Sequence, residues 1–200
     1  AKSAAQNKKS TGRLPIILGI AVLGATSLYL LGKDKLPGSS FRYDPEKSVH
    51  LELSGAKAFA HVEAVVAFGE RSPGTEELAK SRVYIREELA KVGWFMKEDA
   101  FGDETPRGHI KFSNLHARFG KDEGAFSRGA EVLVGSHYDT KEMPGRKFVG
   151  ANDGGSSTGL LIEMARVLAT NPDLAERIEL VFFDGEEAFR TNITPTDGLY

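Results

Sequence analysis

The sequence predicts an α/β domain built on a layered sheet, and three observations carry that expectation. Segments with helical periodicity alternate with strand-like segments from Ser54 to Phe183. The run Ile178–Phe183 (IELVFF) is almost wholly apolar, as a central strand covered on both faces requires. The chain of 200 residues is 40% hydrophobic and 27% charged, which is the balance of one globular domain rather than of a disordered tail.

The elements follow in order. Ser54 to Phe68 reads as a helix with an apolar face drawn from Phe59, Val62 and Val66. GERSPGT (69–75) reads as a turn. Thr75 caps a second helix, with Glu76 and Glu77 at its positive end, Leu78, Ile85, Leu89 and Val92 as its buried stripe, and Gly93 as its stop. Trp94–Phe101, Ile110–Phe119 and Glu131–Gly135 read as strands, with 120–129 a loop. Ser156–Thr170 reads as a helix with Leu160, Leu161, Met164 and Leu168 on one side, and Ile178–Phe183 closes the series.

Ahead of this body, residues 1–32 carry Lys2, Lys8, Lys9 and Arg13 and no acid, leaving 22 basic against 28 acidic residues in 33–200, a net of −6. Leu14 to Gly32 is a run of 19 uncharged residues, roughly 28 Å as a helix at about 1.5 Å per residue, close to a bilayer's hydrocarbon thickness. Residues 1–13 are therefore expected to be a basic cytoplasmic leader, 14–32 a transmembrane signal anchor, 33–53 a linker or arm, and 54–200 the body, held outside the cytoplasm. A cleaved signal peptide and a buried soluble helix are the competing readings of 14–32.

Composition also narrows the chemistry. With no cysteine, the chain has no disulfide framework, no thiol nucleophile and no Cys-ligated zinc, so any metal must be held by His, Asp and Glu. The net charge of −2 argues against non-specific nucleic-acid binding. There is no GxGxxG, P-loop, GxSxG elbow or HExxH.

Ligands of open α/β sheets bind beyond the carboxyl ends of the strands. Here EVLVG runs into Ser136, His137, Tyr138, Asp139 and Thr140, and IELVFF runs into Asp184, Gly185, Glu186 and Glu187. Between them FVGANDGG (148–155) places Asp153 just before a helix. His137 offers an imidazole that Asp139 can orient, while Asp153 and Glu187 are hard oxygen donors; this set suits zinc with an open position. Two adjacent acids in a buried site resolve their repulsion if one binds metal and the other shares a proton, which assigns Glu187 to the metal and Glu186 to general acid/base work. Singly, each has a plainer reading: a satisfied core His, a helix N-cap at Asp153, a solvated loop at Glu186 and Glu187, a turn at Asp184–Gly185. Their coincidence at successive strand ends is what singles them out. His50, His61, His109 and His116 read as structural.

The series SHYDT (136–140), FVGANDGGSSTG (148–159) and FFDGEEAF (182–189) resembles the zinc-dependent exopeptidase family that holds both glutaminyl cyclases and co-catalytic zinc aminopeptidases. AFGERSPGT (67–75) and TPRGHIKFSNLHA (105–117) lend weaker support. The resemblance implies a mixed, mostly parallel sheet with helices on both faces. It implies that Asp153 is the central metal ligand, that Glu187 binds the same zinc, and that Glu186 is the base or proton shuttle. Asp139 would then be the partner of His137. His137 would ligate a second zinc in an aminopeptidase and stand by without metal in a cyclase, so the expected cofactor is one zinc or two. The insert 188–200 with its D-x-L-Y ending is similar to the cyclases, whereas ANDGGSSTG looks like the aminopeptidase loop. The cyclase branch, making pyroglutamate at peptide N-termini, is the favoured expectation; hydrolysis of the N-terminal peptide bond is the alternative, and a non-catalytic, membrane-tethered binding module a further one. The family supplies another zinc-binding His and another acid beyond Tyr200, so the C-terminal part of the domain is expected to be missing.

Overall fold

The computed structural model describes residues 51–189. The expected leader, anchor and most of the arm lie outside the described residues. Of the arm, Leu51 packs against the core. Among the described residues no helix is long and apolar enough to cross a membrane.

Helix α1 (Gly55–Ala67) is capped by Ser54, whose side chain accepts from Lys57 N. Helix α2 (Glu76–Lys91) is capped by Thr75 in the same way. These caps satisfy backbone donors that a first helical turn leaves open. Strands β1 (Trp94–Thr105) and β2 (Gly108–Phe119) form a long hairpin. A single-turn 3-10 helix (Glu123–Phe126) interrupts the loop to β3 (Val132–His137). Helix α3 (Gly155–Leu168), the short α4 (Pro172–Ala175) and β4 (Ile178–Phe183) complete the series.

The strands form one sheet in the order β1-β2-β4-β3. β4 is thus central among them, as its apolar run predicts. The sheet is mixed: β3 and β4 are parallel, while β1/β2 and β2/β4 are antiparallel. The hairpin turn forces the first antiparallel pair, and the crossover through α3 permits the parallel one. The larger parallel share that the resemblance implies does not fall within these four strands.

The core lies on one face. Trp94, Met96, Leu115, Ala117, Leu180 and Phe182 meet Leu78, Ile85 and Leu89 of α2 and Leu161, Ile162, Ala165 and Leu168 of α3. The Trp94 indole N–H donates to Ala165 O at 3.0 Å, so its polar end is satisfied inside. Helix α1 stacks on α3, and the crossing is close at Gly159, where an added Cβ would lie 2.7 Å from Ala58 O and 2.7 Å from Val62 Cγ2. Among the described residues the helices that meet this core cover that face alone; on the other, Leu133 is 59% exposed.

Two helical stripes differ from expectation. Phe59 is 61% exposed, and Val65 is the buried residue of α1. Leu160 is exposed, because α3 presents Leu161, Ile162 and Ala165 to the sheet. Apolar residues occur around more than half of each helix, so periodicity alone leaves the facing direction ambiguous.

Candidate metal centre

The site grows from the carboxyl ends of the two parallel strands. Ser136 Oγ donates to Ser157 Oγ at 2.6 Å, and Thr158 Oγ1 donates to His137 O at 3.1 Å, so the first turn of α3 is tied to the end of β3. Tyr138 N donates to Phe183 O, which extends the β3–β4 ladder one step and fixes the strand ends side by side.

His137 sits at the centre. Its Nδ1 is 3.3 Å from Asp139 Oδ1, its Nε2 is 3.2 Å from Asp153 Oδ1, and Nδ1 is also 3.8 Å from Glu186 Oε2. Asp139 is fully buried, and its second oxygen accepts from Glu187 N at 3.2 Å. One carboxylate therefore holds both the ring of His137 and the backbone of the Glu186–Glu187 turn. The imidazole pKa rises to about 9, first through the Asp139 hydrogen bond and then through the charges of Asp139, Glu186 and Asp153, against the opposing cost of burial. Burial, with the neighbouring Asp153 and Asp139, pushes the Glu187 carboxyl up.

The loop before α3 supplies Asp153. Helix α3 is capped by Gly154 with no side-chain cap bond, so Asp153 is not the N-cap and its carboxylate is available to the site. Gly154 has φ +73°, and an added Cβ there would lie 2.8 Å from Asp139 O and 3.0 Å from His137 Cε1. Only glycine suits both that backbone and that contact.

His137, Asp153 and Glu187 present one nitrogen and two carboxylate oxygens, all within 4.8 Å of one another. Donor type and convergence fit a divalent, zinc-like ion. Glu186 is exposed and borders the cluster, while Glu187 is half-buried. The burial conflict expected for the pair thus falls on Glu187. His109 pairs with Glu104 on the hairpin, His116 with Glu179 on the sheet, and His61 with the Tyr84 hydroxyl.

Two groups near the site that the sequence reading places only in turns are buried. Arg71, in the predicted turn, is fully buried and reaches four backbone carbonyls. Burial lowers its pKa to about 10, opposed by Asp139. Asp184, read as part of a turn with Gly185, is fully buried; Oδ2 accepts from Ser113 N at 2.9 Å, and burial pushes the carboxyl up to about 7. Its place directly after a buried strand was the available signal. For Arg71, flanked by Gly, Pro and polar residues, sequence offers none.

A mixed α/β sheet with an imidazole and two carboxylates converging at its parallel strand ends is the architecture of the zinc exopeptidase class. Comparison with known proteins agrees: residues 114–200 match the model of peptidase family M28. The glutaminyl-peptide cyclotransferase of Gloydius blomhoffii is 33% identical over 147 residues, covering 66% of this chain and 38% of that protein. The glutaminyl cyclase structure from an Acidobacteriales bacterium is 31% identical with TM-score 0.62, covering 80% of this chain and 54% of that one. A Zn-dependent exopeptidase structure from Parabacteroides distasonis is 26% identical with TM-score 0.58, covering 72% and 52%. The chain spans less than two fifths of the length of the curated relative.

Proposed function

We propose that the chain carries the N-terminal part of a zinc-dependent enzyme acting on peptide N-termini, a glutaminyl-peptide cyclotransferase. The observation that carries this reading is the convergence of His137, Asp153 and Glu187 within 4.8 Å, with Glu186 alongside. The similarity to cyclases of that name gives it direction. Asp153 and Glu187 would hold the ion, and a zinc ion there supplies Lewis acidity toward the γ-carbonyl of an N-terminal glutamine.

The chain's own residues do the rest. Glu186, exposed at the rim, takes a proton from the substrate's α-amine as its nitrogen bonds to the side-chain carbonyl carbon, and returns it to the amide nitrogen whose bond to that carbon breaks, which leaves as ammonia. Attack within one residue gains from proximity, so alignment is the main demand on the protein. Asp139 holds His137 through Nδ1 and leaves Nε2 facing Asp153. In this reading His137 bonds to Asp153 and one ion is present.

The second reading is an aminopeptidase, favoured by the inclusion of His137 in the cluster. There His137 would help hold a second zinc, and Glu186 would remove a proton from the attacking water. The substrates in either reading are peptide or protein N-termini, and residues 14–32 would tether the enzyme with its site outside the cytoplasm.

The test incubates the zinc-loaded full-length protein with a Gln-initiated and a Leu-initiated peptide together and follows both by mass spectrometry. Loss of ammonia from the Gln peptide alone is expected. Loss of the leading Leu residue establishes the aminopeptidase, and turnover of neither refutes both. Glu186→Gln should retain zinc and lose at least about 100-fold in rate.

A further inference from the structure

Arg71 and Arg118 are the largest fully buried side chains of the described residues, and the proposed chemistry makes no use of Arg71. Its Nε is 3.3 Å from Tyr138 O; its Nη1 is 2.9 Å from Val149 O and 3.2 Å from both Val65 O and Gly69 O. Its backbone is engaged as well: Arg71 N donates to Thr140 Oγ1 at 2.8 Å, and Thr140 N donates to Arg71 O at 3.1 Å. The carbonyls belong to four separate places: the last turn of α1, the turn after it, the exit of β3, and the loop leading to Asp153.

Two of those places carry the site. Tyr138 lies between His137 and Asp139, and Val149 opens the stretch that ends at Asp153 and Gly154. The fully buried guanidinium spans the gap between the main chains of these segments, bonding a carbonyl of each. The segment between them, 141–147, is an irregular loop without helix or strand to hold its ends. Phe148 N, donating to Glu70 Oε1 at 3.1 Å, adds a second tie from the same turn.

We infer that Arg71 is a positioning residue of the metal centre: from the turn 69–75 it staples the β3 exit to the loop before α3, and so sets the distance between His137 and Asp153. This rests on reading the cluster as a metal centre. Two separate nitrogens make the staple, Nη1 toward Val149 O, Val65 O and Gly69 O and Nε toward Tyr138 O; a lysine's single nitrogen can stand in for Nη1 but leaves the Nε bond to the β3 exit unmade. A group that holds ligand-bearing segments in register is worth about 10- to 100-fold in metal affinity.

The experiment uses the full-length protein as wild type, Arg71→Lys, Arg71→Met and Gly159→Ala. The last disturbs the α1–α3 crossing, away from the site, and controls for general loss of stability. Zinc affinity is read by competition with a chromophoric chelator, and amide exchange is followed at 137–140 and 148–155 by mass spectrometry. Expected are zinc binding at least about tenfold weaker in Arg71→Lys and faster exchange at 148–155, with Gly159→Ala within about twofold of wild type in both. Arg71→Lys within twofold of wild type in affinity, with unchanged exchange, overturns the inference. If the Arg71 variants do not fold, Thr140→Val, which removes one of the two ties from Arg71's backbone, must still speed exchange at 148–155, and wild-type exchange there overturns the inference. If wild type takes up no zinc, the metal reading falls, and the exchange result alone decides for or against the staple.

Discussion

The buried carboxyl of Asp184 makes stability depend on pH in the direction opposite to most acids. The side chain is fully buried; Oδ2 accepts from Ser113 N, the Tyr138 hydroxyl lies 3.4 Å away and Arg82 Nη1 3.8 Å away, and Oδ1 has no partner. Burial is the first cause that raises its pKa from 3.8 to about 7, and nearby Asp139 adds to it. A raised acid is favoured protonated in the folded state. Its contribution is complete below the unfolded pKa and is lost as pH climbs through the folded one. A rise from 3.8 to about 7 corresponds to a loss on the order of 4 kcal/mol, more than half of it between about pH 5 and pH 8. Asp184→Asn keeps an acceptor for Ser113 N and abolishes the titration, but it places an amide N–H₂ where no acceptor waits, at a pH-independent cost of about 1–3 kcal/mol. Urea unfolding of both proteins at pH 5 and pH 8 reads the difference. The variant should be the less stable at pH 5, and the gap should close or reverse by pH 8. Parallel pH profiles for the two proteins would refute the assignment of a buried, neutral Asp184.

Three further outcomes follow from the same geometry. Gly159→Ala should destabilise by about 1–3 kcal/mol despite alanine's better helix propensity, because the new methyl meets Ala58 O and Val62; thermal denaturation checks it, and an unchanged or raised Tm contradicts the close crossing. Gly154→Ala should weaken zinc binding by an order of magnitude or more, since the Cβ would intrude on Asp139 O and the His137 ring at a positive φ; calorimetric titration with zinc measures it. Removing metal with a chelator should lower Tm, and excess zinc should restore it by about 2.7 kcal/mol of stabilisation at a hundredfold excess over Kd; a Tm indifferent to zinc would show that the cluster binds none.

Much of the fold was legible because local chemistry decided it. Ser54 and Thr75 cap helices as their residue types prescribe, and Ile178–Phe183 forms the strand its apolar run predicts. The pairing directions were not legible, since β2 pairs with β4 across the whole intervening βα unit and nothing local specifies that. The site residues were legible as a group because each follows a strand or precedes a helix at the same end of the sheet. Their division of labour was less so: Asp153 alone resembles an N-cap, and only the glycine cap on α3 frees it. Arg71 escaped because a buried arginine is recognised by its partners, and here all the partners of its side chain are main-chain carbonyls whose positions no sequence pattern encodes.

The placement of the donors bears on how the protein folds. His137, Asp139, Asp153, Glu186 and Glu187 all belong to a single crossover, β3–α3–β4, and its flanking loops. The donors can therefore approach one another once β4 docks beside β3, before the turn that carries Arg71 fixes their spacing. Ligand binding to a partly folded chain is folding free energy for the part that binds. An ion captured at this stage would stabilise the parallel pair, a kind of strand pairing that is slow to form unaided, and turn the donor cluster into a nucleus for the sheet around it.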